Sequence, residues 1–177
     1  MIDISKVKTY SVKKRQSKVG VGDFAKPPFA GRSFGEFYNS LPRILKADDL
    51  RFVVDAIVKA RKAKKAVIFM AGAHVIKCGL NPVLIELIRK KIITCIVLNG
   101  AGIIHDFEFA FQGRTSEDVG AGLKNGRFGM GREPADFLNN AITEGVSSGL
   151  GLGEAVAEKI SKAKLRYKDL SIIYQAG

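Results

Sequence analysis

Cysteine occurs only twice in the 177 residues, as Cys78 and Cys95, and neither stands in a C-x-x-C pair or beside a histidine cluster. A disulfide framework is thereby excluded, and no metal is expected, because ligands at zinc spacing are missing. Long apolar runs are missing too. The densest stretch, Ile92 and Ile93 followed after Thr94 by Cys95 to Leu98, falls far short of the ~20 residues that cross a bilayer, so no membrane contact is expected. The N-terminus has Asp3 and a basic run at Lys13, Lys14 and Arg15 with no apolar block behind it, which argues against a secretory leader and for a cytoplasmic protein. Acidic residues are scarce, with 17 Asp and Glu against 29 Lys and Arg, giving a net charge of +12.

That charge is unevenly placed. Residues 1–66 hold 16 Lys or Arg against 6 acids, whereas residues 67–177 hold 13 against 11. A basic arm can meet an acidic partner, a neighbouring subunit or nucleic acid, or simply be solvated. Only Tyr10 and Phe24 interleave its early lysines, and no helix-turn-helix or single-strand-binding pattern accompanies them, which argues against nucleic acid as the partner.

With 46% hydrophobic residues the chain can bury a core. Residues 1–46 read as a basic, irregular arm, since "VGVGDFAKPPFAGRSFG" shows no sustained period, although its phenylalanines argue against full disorder. From residue 47 the pattern is α/β. Leu50, Phe52, Val53, Ala56, Ile57 and Ala60 predict a helix from Asp48 to about Ala63, with Asp48 or Asp49 as its cap. "KAVIFM" and "IITCIVL" predict two strands buried on both faces, and Asn81-Pro82 predicts a helix start between them, with Asn81 as the cap. Strand, helix and strand at this spacing make a right-handed βαβ unit. "TSED" at Thr115–Asp118 predicts a capping box, residues 122–133 a glycine-dense loop, and residues 134–147 and 153–164 two more helices. "LSIIYQAG" is expected as a closing strand. The whole is a Rossmann-like open parallel sheet with flanking helices, incomplete by itself and suited to a larger assembly.

In such sheets ligands lie at the carboxyl ends of the strands, here "AGAHVIKCG" and "NGAGIIHD". Gly100 and Gly102 allow backbone close to a ligand, and a helix starting near Ile103 would point its amides at a phosphate. The third glycine of the dinucleotide fingerprint is replaced by His105, so the glycines can equally serve a tight strand-to-helix turn. His105 in the first helical turn suits a cofactor or substrate contact, and His74 can approach the same crevice. Asp106, about 100° away from His105 around a helix, reads as a helix-start carboxylate and Lys77 as a phosphate contact or a solvated cation. No nucleophile elbow or Walker loop is present.

The stretch "VIFMAGAHVIKCGLNPVLIELIRKKIITCIVLNGAGIIHD", with "FGM" in the later glycine-dense loop, resembles the N-terminal half of deoxyhypusine synthase and its bacterial and archaeal relatives. The resemblance runs from Lys65 to Gly177 and more loosely over the arm and first helix. It implies an NAD-dependent enzyme that oxidises spermidine and passes its aminobutyl group, through an enzyme lysine, to a lysine of a translation initiation factor precursor. By position it implies one dinucleotide loop at His74, Val75, Ile76 and Lys77, and a second at Asn99, Gly100, Ala101, Gly102 and His105. Ile104 and His105 stand where the family carries two acids that hold the polyamine, so Ile104, His105 and Asp106 are the implied substrate contacts. The family's lysine nucleophile belongs to the C-terminal half, which implies a companion chain or a missing continuation that supplies it, and the family's assembly implies a homo-oligomer. Two other functions remain open on the sequence: a noncatalytic NAD-binding or nucleotide-binding assembly subunit, and nucleic-acid binding through the basic arm.

Overall fold

The computed structural model describes residues 3–177, so residues 1 and 2 of the arm lie outside the described part. The chain forms two compact units, one up to Val58 and one from Lys59 to Gly177. The first contains three short 3-10 turns, at Ile4–Lys6, Val12–Lys14 and Val21–Asp23, and a helix α1 at Phe34–Ser40 inside the segment expected to be irregular. A capping box explains α1: Ser33 Oγ accepts from Glu36 N, and the Glu36 carboxylate accepts from Ser33 N at 2.8 Å. Helix α2, Leu45–Lys62, starts before the expected aspartates and buries none of its residues, with Phe52 75% exposed.

The second unit is α/β. Strands β1 (Ile68–Ala71) and β2 (Cys95–Leu98) pair in parallel, Ile68 opposite Cys95 and Ala71 opposite Leu98. Between them run the single-turn helix α3 (His74–Lys77) and α4 (Asn81–Arg89). The strands alternate rather than being buried on both faces. Phe69, Ile96 and Leu98 pack against Ile76, Leu84, Ile85, Ile93 and Ile172, while Ile68, Met70, Cys95 and Val97 point to an exposed face. The expectation of double burial fails because helices cover only one side of this two-stranded sheet.

Helix α5 (Gly100–Gln112) follows β2 directly. Then come α6 (Val119–Lys124), α7 (Arg132–Ser147) and α8 (Leu152–Lys162). Ile103 and Phe107 of α5 join Leu138 and Ala141 of α7 and Val156 and Ile160 of α8 in a second core, where Phe107 stacks on Phe137 with centroids 4.4 Å apart. Asp118 alone caps α6, accepting from Ala121 N at 2.9 Å, so the expected box led by Thr115 is not formed.

The expected closing strand is instead a 3-10 turn, Lys168–Leu170, and a helix α9, Ile172–Ala176. The reason is local. Ser171 Oγ caps the helix by accepting from Tyr174 N, and the Asp106 carboxylate accepts from the first-turn amides of Ile172 and Ile173 at 2.8 and 3.1 Å. Those amides are thereby taken from any strand ladder, and Ile172 is turned fully into the core.

Candidate functional site

The parallel register brings the exits of β1 and β2 side by side: a Cβ added at Gly72 would lie 3.4 Å from Asn99 Nδ2. Asn99 opens α5 by accepting from Gly102 N at 2.9 Å, so the helix begins at Gly100, earlier than expected. This cap also separates the roles of the two glycines. A Cβ at Gly102 would meet Leu98 Cβ at 3.2 Å, so that glycine serves the close packing of helix on strand, whereas a Cβ at Gly100 would face open space.

That space is part of a cavity of about 670 Å³ between α5, α6, the glycine-dense loop, α7 and the start of α8, inside the range of about 300–1,000 Å³ usual for small-molecule sites. Of the residues singled out from the sequence, Lys77, Gly100, Ala101, Ile104 and His105 line it. His74, Val75, Ile76, Asn99, Gly102 and Asp106 do not; Ile76 is fully buried in the core beneath β1, and Asn99 is occupied as a cap.

Asp106 shows why sequence adjacency to His105 misleads. It is fully buried on the far side of α5, where it accepts from Ser171 Oγ at 2.6 Å, Ile172 N, Ile173 N and Asn81 Nδ2 at 3.2 Å. Burial pushes its carboxyl above the ordinary range, and these four donors offset only part of that desolvation. Asn81, expected to cap α4, instead directs its amide to Asp106 and to the carbonyl of Leu170 at 2.9 Å.

The wall contains polar groups that sequence reasoning passed over. Glu108 lies one turn beyond His105, and its Oε2 is 3.1 Å from His105 Nδ1. Thr115, just past the end of α5, bonds both of them. Glu117 lines the cavity and accepts from Gly129 N at 2.7 Å, fastening the glycine-dense loop. The spacing of His105 and Glu108 was the available signal, since residues three apart share a helix face. Apolar walls come from Ile103, Ile104, Leu138, Ile142 and Val156. Among the described residues no three His, Cys, Asp or Glu side chains are grouped to hold a metal ion, and no helix is long and apolar enough to cross a membrane.

The family model of deoxyhypusine synthase matches residues 27–123, which include both strand exits and the whole of α5. The chain belongs to the deoxyhypusine synthase family. The match covers α1 to α6 apart from its final residue, including the cavity's Lys77, His105, Glu108 and Glu117, and leaves α7 to α9 outside the deoxyhypusine synthase segment. No curated protein matches the chain.

The residues present fit a dinucleotide. Gly100 offers open space where a side chain would stand, α5 directs its N-terminal end at the cavity, Lys77 adds a cation, and the apolar walls suit flat rings.

Proposed function

We propose that this member of the deoxyhypusine synthase family binds NAD at the exits of β1 and β2 and takes part, in the cytoplasm, in NAD-dependent transfer of an aminobutyl or other alkylamine group from a polyamine to an amine acceptor. The observation that carries this reading is the joint presence of Lys77, Gly100 and Ala101 on the wall of one cavity inside the segment matched by the family. NAD would supply a hydride acceptor there. The chain's own part is to hold the pyrophosphate at the first turn of α5 and to keep the reacting amine against apolar walls. The Rossmann-like character of the sheet, a homo-oligomer, and a companion chain or continuation that supplies the lysine nucleophile belong to the same proposal.

Calorimetric titration with NAD tests it on the wild type and on Ala101→Asp. A carboxylate in the first turn of a helix favours the helix but repels a pyrophosphate. The expected result is an NAD affinity lowered about tenfold or more with an unchanged melting temperature. Equal affinity in the two proteins would contradict the assignment.

A further inference from the structure

The polar cluster at His105 has a proton arrangement in which every contact pairs a donor with an acceptor. Nδ1 of His105 lies 3.1 Å from Glu108 Oε2 and within bonding distance of Thr115 Oγ1, whose hydroxyl donates to that same carboxylate oxygen. A carboxylate only accepts, and a threonine hydroxyl has one hydrogen to give. With that hydrogen directed to Glu108, both oxygens facing Nδ1 are acceptors, so Nδ1 carries the proton. In a neutral imidazole the lone pair then resides on Nε2. Nε2 has no protein partner among the described residues, and His105 lines the cavity.

We propose that Nε2 of His105 is the proton acceptor for a primary amine bound in this cavity, with Glu108 and Thr115 as positioning residues. The inference rests on the amine-transfer reading above and adds the group that makes the amine reactive. The two acidic residues on the wall, Glu108 and Glu117, outnumber its one lysine, Lys77, and so favour entry of an ammonium. The step balances within the site. One N–H bond of the ammonium breaks, its electron pair stays on nitrogen, the proton passes to Nε2, and the imidazolium so formed is faced by Glu108. What remains is a neutral amine able to attack an electrophilic carbon.

Histidine occurs only twice in the chain, so His74→Gln leaves a single imidazole for nitrogen NMR. The expected spectrum is that of the Nδ1-protonated tautomer, with that preference lost in the near-isosteric Thr115→Val and in Glu108→Leu. Spermidine, used as the probe, should move the Nε2 resonance, and His105→Phe should weaken its calorimetric affinity about tenfold or more. An Nε2-protonated tautomer overturns the proposal, as does a spermidine affinity indifferent to His105→Phe. Loss of NAD binding with the tautomer and spermidine response intact overturns the dinucleotide reading instead.

Discussion

At the scale of single residues, Asp106 and His105 are neighbours in sequence with opposite fates. His105 turns to the cavity, while Asp106 turns inward and organises the chain's last helix. Replacing Asp106 with alanine leaves buried donors on Ser171, Ile172, Ile173 and Asn81 without an acceptor, and urea unfolding should show a loss of roughly 2–4 kcal/mol. The pH dependence has a definite sign. The folded chain holds the Asp106 proton more tightly than the unfolded chain, so this titration contributes stability below the ordinary value of 3.8 that is lost as pH rises through the raised folded value. The advantage of wild type over Asp106→Asn should therefore be largest in acid and shrink as pH rises from about 4. A gap that widens over that range would refute the burial argument. Little of this was legible beforehand. The i,i+1 spacing told that the two side chains diverge, but the partner of Asp106 lies 65 residues away at Ser171, beyond the reach of any local pattern.

Local rules worked where neighbours in sequence decide the outcome. The two strands, α4, α7 and α8 all form close to their expected bounds, because apolar spacing and a Pro near the helix start act over a few residues. They failed at the closing "LSIIYQAG", whose short apolar run suits a strand or a buried helix equally; the Asp106 carboxylate and the Ser171 hydroxyl decided it. They failed also at Thr115, where the hydroxyl serves His105 and Glu108 rather than a helix start. Two glycines hold elements together in ways that can be measured. Gly113 ends α5 at φ +72°, and a Cβ there would come within 2.8 Å of the Tyr167 ring. Gly145 lets α7 approach α8 so closely that a Cβ would fall 2.3 Å from Ala155 Cβ. Gly113→Ala and Gly145→Ala should each lower stability by about 1–3 kcal/mol in thermal or denaturant unfolding. An unchanged melting temperature in either would show that the helices can separate freely.

At the scale of the whole molecule, the basic excess of residues 1–66 is shared equally between the unit up to Val58 and the first residues of the unit from Lys59 onward, and the cavity belongs to the latter unit. Membership of the family was legible from the two loops, and of their residues Lys77, Gly100 and Ala101 line one cavity whereas His74, Val75 and Ile76 do not. The sheet's outer face was misjudged, since a local pattern cannot tell which side of a strand helices will cover. Ile68 and Met70 remain 57% and 73% exposed on that face, and Val97 lies beside them. The homo-oligomer proposed above would cover it. Wild-type protein should then sediment as an oligomer and Met70→Glu as a monomer; a monomeric wild type would sink that part of the proposal.

Helix α5 also has two clients. Its first turns border the cavity with Gly100, Ala101 and His105, and between them and the far end Asp106 grips the opening amides of α9. A rigid rod cannot tilt at one place and stay still at another. A displacement of α5 that moved His105 would therefore also move the acceptor of the Ile172 and Ile173 amides.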